Sequence, residues 1–176
     1  MNHDQYSDAY IKGILDEVKT VAMVGASANN VRPSYFVLKY LLAKGYDVWP
    51  INPGIAGKEI LGQTVYAALD DLSEIPDMVD IFRNSDAAGA IVDDILKSGR
   101  LPKAIWMQLT VRNDEAAKKA EDAGIKVVMD RCPKIEYGRL SGEIGWAGVN
   151  SRTLSAKRPT LKSGFQHRGL KPGGKS

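Results

Sequence analysis

The stretch VGASANNVRPS, Val24 to Ser34, closes an apolar run and ends where a helix can begin. A strand that enters a glycine turn and then a helix is the opening unit of a parallel α/β sheet, and in nucleotide-binding versions the turn reads G-x-G-x-x-G. Here the three positions hold Gly25, Ser27 and Asn30, so one glycine of the three is present. Gly25 still permits a tight turn. The amides from Ala26 onward, leading to the helix that Pro33 opens, still offer donors and a positive dipole end to an anion. The Ser27 hydroxyl can bond a phosphate oxygen, although its side chain holds the backbone farther away. Taken alone, the loop also reads as a plain strand-to-helix turn without a ligand.

The flanking sequence repeats the same unit. Upstream, Tyr10, Ile11, Ile14, Leu15 and Val18 recur at helical spacing, which predicts a helix near residues 7–18 before the strand TVAMVG. Downstream, Val37, Tyr40 and Leu41 follow Pro33 along a helix that Gly45 ends. YDVWPIN and MVDIF are strands, DAAGAIVDDILKSG is a helix closed by Gly99, and KAIWMQL is a fourth strand. NDEAAKKAEDAG is a helix capped by Asn113 or Asp114 and ended at Gly124, and KVVMD is a fifth strand. Continuous apolar strands alternating with helices specify an α/β, doubly wound, Rossmann-like parallel sheet of five strands with helices on both faces. In such sheets ligands bind outside the carboxyl ends of the strands, where strand order switches.

At 176 residues and 44% apolar, the chain has material for one domain with one substantial core. The expected division is a domain over residues 1–150 and a tail over 151–176. The body carries 17 Lys/Arg against 21 Asp/Glu, whereas the tail carries 7 Lys/Arg and no acid. Rich in Gly, Ser and Pro and poor in apolar residues, the tail buries too little to offset its ordering entropy and is expected to be flexible. The opening MNHDQYSDAY has neither a basic nor an apolar leader region, and no run approaches a membrane span, so a cytoplasmic protein without a membrane partner is expected. Cys132 has no second cysteine to pair with. With His3 and His167 near opposite ends, no metal-ligand spacing exists and no metal site is expected.

The residues just after each strand carry the functional information. NAD-binding domains place Asp or Glu at the end of the second strand to hold the ribose 2′-hydroxyl. Asn52 and Pro53 stand there instead, which argues against NAD. Lys58 follows and either faces a phosphate or is an ordinary surface lysine. Phe82 and Arg83 come after the third strand, Gln108 and Leu109 after the fourth, and Arg131, Cys132 and Pro133 after the fifth. No Ser/His/Asp or Cys/His set is among them, so no catalytic residue is assigned. Asp80 and Asp130 lie in or at the end of strands and read as partners of neighbouring donors rather than as an acid/base pair. Beside Arg131, whose charge favours a thiolate, Cys132 is a candidate for a mixed disulfide with a thiol ligand; the alternative is a small buried hydrophobe.

Together the runs VAMVGAS, VRPS, VWPINPG, GKEILG, VDIFR, IWMQL and VVMDRCP resemble the stand-alone CoA-binding protein family, whose fold is similar to the N-terminal domain of the succinyl-CoA synthetase α subunit. The resemblance covers roughly residues 8–150. It implies that Gly25, Ala26 and Ser27 line the pyrophosphate of CoA, and that Arg32, Ser34 and Lys58 face phosphates. The residues after the third to fifth strands then line the adenine and pantetheine path. CoA carries a pyrophosphate, a ribose 3′-phosphate and a pantetheine arm, so its site needs donors and cations at one end and has no use for a ribose-holding acid. The synthetase passes phosphate through a histidine in a second domain; this sequence matches neither, so ligase chemistry is not implied. The leading expectation is therefore a protein that binds CoA or acyl-CoA without catalytic machinery of its own, with storage, sensing and delivery to an unknown partner enzyme all left open as its use. The rivals are a subunit of an enzyme dependent on NADP or another nucleotide, and a nucleic-acid-associated protein acting through the basic tail.

Overall fold

A computed structural model describes residues 1–142 and, beyond them, the backbone of two short strands at 149–150 and 153–154. The chain opens with α1 (Asp8–Glu17), β1 (Thr20–Val24), α2 (Pro33–Ala43) and β2 (Asp47–Ile51). A hairpin of β3 (Glu59–Ile60) and β4 (Gln63–Thr64) comes next. Then follow β5 (Met78–Ile81), α3 (Ser85–Ser98), β6 (Ala104–Met107), α4 (Asp114–Asp122), β7 (Lys126–Val128) and α5 (Pro133–Leu140). The last pair, β8 (Val149–Asn150) and β9 (Thr153–Leu154), is antiparallel and straddles the expected boundary at residue 150. The rest of 151–176, with the flexibility expected of it, lies outside the described residues.

The main sheet has the order β2-β1-β5-β6-β7, and every pairing in it is parallel. These are the five strands expected from the apolar runs. The chain leaves β1 toward β2 and returns on the other side of β1 as β5, so the switch point lies between β1 and β5. Helix boundaries follow local chemistry. Side-chain oxygens of Ser7, Asn84 and Asn113 accept from Tyr10 N, Ala87 N and Ala116 N at the starts of α1, α3 and α4. Gly99 takes the left-handed conformation that stops α3, with φ +68°.

The two faces of the sheet are covered differently. On one, α1, α2 and α5 pack over Val21, Met23, Val48, Met78 and Trp106. On the other, α3 and α4 cover Val79, Ile81, Ile105, Met107 and Val127. No α-helix crosses from β2 to β5. That connection is built from 3₁₀ turns at Pro53–Ile55 and Leu69–Asp71 and from the β3–β4 hairpin. Its sequence explains this: Gly54, Gly57, Gly62 and Pro76 interrupt it, and no 3.6-residue apolar period survives. Over the β1–β2 half of this face, Tyr66, Leu69 and Leu72 therefore substitute for a helix. Among the described residues no helix is long and apolar enough to cross a membrane.

Candidate functional site

At the switch point, Gly25 has φ +88°, and a Cβ there would lie 2.7 Å from the Phe82 carbonyl oxygen and 3.1 Å from Arg83 Cδ. Only glycine fits both the conformation and the gap. The turn after β1 is thereby pressed against the turn after β5. Gly25 N and Ala26 N both donate to Ile51 O, at 2.9 and 3.3 Å. Asn52 Nδ2 donates to Ala26 O at 2.7 Å, while Asn52 Oδ1 accepts from Gly54 N at 2.9 Å. The expectation that the Ala26 amide serves an anion is thus corrected: it is spent on β2, and Ala26 anchors the turn. The amides of Ser27 and Ala28 are the first that the chain leaves unbonded. Ser27 Oγ accepts from Asn29 N at 3.1 Å, which leaves its hydroxyl proton to donate outward. Asn52 also braces the turn from the end of β2.

α2 begins directly beyond this turn. Unlike α1, α3 and α4, it has no side-chain cap; Arg32 occupies the cap position with no hydrogen bond from its side chain, and Pro33 is the first helical residue. Pro33 has no N–H and Tyr35 N donates to Arg32 O at 3.0 Å, so the amide that the opening turn leaves available to an anion is that of Ser34. Ser34 is buried in the first turn. Arg32, Lys58 and Arg83, exposed and without an ion pair, lie on the connections that follow β1, β2 and β5. These are the three neighbouring strands at the switch point. Many other cations are paired, among them Lys103 with Asp77, Arg112 with Asp114 and Arg139 with Glu136.

A groove of about 420 Å³ leads away from the turn along α3, where no crossover helix closes the sheet. Gly25, Asn52, Pro53 and Arg83 form its mouth. Val24, Ile51 and Val79 form its floor, and its walls are Ala67, Ala68 and Leu69 on one side and Ala87, Ala90 and Ile91 on the other. At the far end Arg100 is clamped, its guanidinium donating to Leu72 O at 2.7 Å. The four mouth residues were expected at the site. The walls were not, because they come from the irregular crossover and from a helix flank.

The remaining strand-end residues gather on the other face of the sheet. Gln108 is buried and its Nε2 donates to both Asp80 oxygens, at 2.8 and 3.1 Å. Its amide nitrogen is thus engaged with a buried carboxyl in the core. Burial pushes the Asp80 carboxyl up to about 7, with the Gln108 bond opposing. Asp130 Oδ1 accepts from Thr110 N at 2.7 Å. Both carboxylates are thus partners of neighbouring donors. Phe82 packs against the core on the α2 side, and Leu109 is exposed. The Arg131 guanidinium lies 5.6 Å from the centre of the Tyr6 ring and donates to Asp130 O. Cys132 is buried, and that burial pushes its thiol up. The expectation that Arg131 favours the thiolate is corrected, since desolvation wins and the guanidinium is engaged elsewhere. Among the described residues no three His, Cys, Asp or Glu side chains gather as a metal site.

Comparison with known proteins covers most of the domain. Residues 19–138 match the family model described as a CoA binding domain. The uncharacterized protein YneT of Bacillus subtilis is 32% identical over 131 residues, spanning 74% of this chain and 94% of that protein. Among solved structures, the cell-free ID.343 protein from Thermus thermophilus is 36% identical, with a TM-score of 0.72 over 77% of this chain and 99% of that one. The dinucleotide-forming acetyl-coenzyme A synthetase 1 of Ca. Korarchaeum cryptofilum, solved with phosphate and ADP, is 27% identical, with a TM-score of 0.53 over 62% of this chain and 25% of that one.

Proposed function

The chain belongs to the CoA-binding domain family, and on that premise we propose that it binds CoA or an acyl-CoA in the cytoplasm and has no catalytic machinery of its own. The observation that carries this reading is an apolar groove whose mouth holds the unpaired cation Arg83, beside the turn that leads into the uncapped start of α2 at Arg32; Lys58, also unpaired, lies on the connection after β2. A ligand suited to it is strongly anionic at one end and slender and largely apolar beyond, which describes CoA. The diphosphate meets the free amides of Ser27 and Ala28 and the start of α2. The braced turn supports this role because Gly25, Ala26 and Asn52 are held by Ile51, Gly54 and the Phe82 loop before any ligand arrives, so little ordering entropy is lost on binding. The absence of an acid at the end of β2 removes the repulsion that a phosphorylated ribose would otherwise meet.

Native mass spectrometry of the purified protein, followed by calorimetric titration, tests the reading. A single CoA-sized ligand should be retained or should saturate the protein, and NAD should bind far more weakly. Equal affinity for NAD and CoA, or no uptake of CoA, overturns it.

A further inference from the structure

We infer that Arg83 reads a phosphate group on the ribose of the bound nucleotide, and so makes the site selective for phosphorylated over unphosphorylated ribose. The inference rests on the CoA reading above and assigns one of its cations to one chemical group.

In sheets of this winding the ribose sits at the end of the second strand, because the base and diphosphate leave in opposite directions from the switch point. The residue that should meet it here, Asn52, spends one amide N–H on Ala26 O and one oxygen lone pair on Gly54 N. What it has left is one donor and one acceptor of a neutral amide, with no charge to hold or to repel a phosphate. Across the mouth of the groove stands Arg83, its stem against Gly25 and its guanidinium without a partner. The turn that carries Arg83 is held against Gly25, since a Cβ there would lie 2.7 Å from the Phe82 carbonyl oxygen. A ribose placed between Asn52 and Arg83 thus meets a neutral amide where NAD-type sites present a carboxylate, and a cation from the β5 side. Guanidinium matches a phosphate dianion with two parallel hydrogen bonds and has no use for a neutral hydroxyl pair. Deeper in the groove the polar side chains are Asp70, Asp94 and Ser98, and the one cation, Arg100, is held by Leu72 O. The groove interior repels a phosphate, which keeps that group at the mouth, beside Arg83.

The same chemistry is carried by two ligands, the 3′-phosphate of CoA and the 2′-phosphate of NADP, and the test separates them. CoA, dephospho-CoA, NADP and NAD are titrated calorimetrically into the unaltered protein and into Arg83→Met, which keeps the aliphatic stem, with Arg83→Lys as the conservative variant. Thermal melting confirms that the variants fold, as expected for an exposed side chain without partners. The unaltered protein should prefer CoA to dephospho-CoA by about 10- to 100-fold, the size of a charge-assisted pair. Arg83→Met should abolish that preference by weakening CoA alone, and Arg83→Lys should restore part of it. Equal loss for CoA and dephospho-CoA places Arg83 on the diphosphate and overturns the inference, as does an unchanged preference. Should NADP bind and CoA not, the CoA reading fails, and the NADP-to-NAD ratio in Arg83→Met then decides the role of Arg83 by the same criterion. Failure of all four ligands to bind overturns both.

Discussion

The two faces of the sheet are built to different ends. Under α1, α2 and α5 the core is sealed by side chains that close their own hydrogen bonds. Tyr46 donates to Leu15 O, Tyr10 to Val127 O, and Gln108 to Asp80, and burial pushes the Tyr46 phenol up to about 12. On the opposite face the crossover from β2 to β5 lacks a helix, and a groove remains between it and α3. The first face supplies stability and the second supplies room. Substitutions on the sealed face should therefore change melting, and substitutions along the groove should change ligand affinity.

Leu38, fully buried under α2, gives the largest expected effect on stability. Leu38→Ala should cost roughly 2–5 kcal/mol in urea unfolding, whereas Ile91→Ala, at a half-buried groove wall, should cost about 1 kcal/mol or less and show instead in CoA affinity. Similar losses at the two positions would erase the distinction between the faces.

Asp80 sharpens the same contrast through pH. Its carboxyl is raised from 3.8 to about 7 by burial, so between those values the folded protein holds a proton that the unfolded chain has lost. Stability should accordingly fall as pH rises from about 4 and level off above about 7. Asp80→Asn keeps the acceptor for Gln108 and removes the charge. It should flatten this slope and stabilise the protein at pH 8 by an amount on the order of 3 kcal/mol, with little gain at pH 4. A slope that survives in Asp80→Asn assigns it to other groups.

On the groove side, Arg32→Ala and Lys58→Ala should each raise the Kd for CoA about 10- to 100-fold with unchanged melting, because both side chains are exposed and unpaired. An unaltered Kd in either variant reduces that residue to a surface charge. The smallest effect is expected at Cys132. With its thiol buried and pushed up, it should react with a thiol reagent at neutral pH far more slowly than free cysteine, and gain no CoA by mild oxidation. Rapid labelling of the folded protein, or a CoA adduct that Cys132→Ser abolishes, would return it to the site.

What the sequence made legible divides along the same line. Each core strand is a short, nearly continuous apolar run between turn residues, broken inside β5 by Asp80, so period and punctuation located all five, and Gly25 marked the switch point. Asn52 and Gln108 were read as ligand contacts because they follow strands. Sequence position does not disclose that Asn52 reaches back to Ala26, or that Gln108, two residues beyond the Trp106 paired with Asp80, points into the same core layer as that carboxyl. The groove was harder still. Ala87, Ala90 and Ile91 lie on α3 beside the buried Ala88, Val92 and Ile95, and small apolar residues at that spacing read as core. One signal was present: from Asn52 to Asp77 the sequence has no helical period, which marks the half of the sheet that no helix covers.

Amide hydrogen exchange with and without CoA bears most directly on which face holds the ligand. Protection is predicted to rise at Ser27, Ala28 and the first turn of α2, along 67–70, and on the groove flank of α3, with α1 and α5 unchanged. Protection that appears instead around Cys132 and the start of α5, or nowhere, would contradict the assignment of the ligand to the groove.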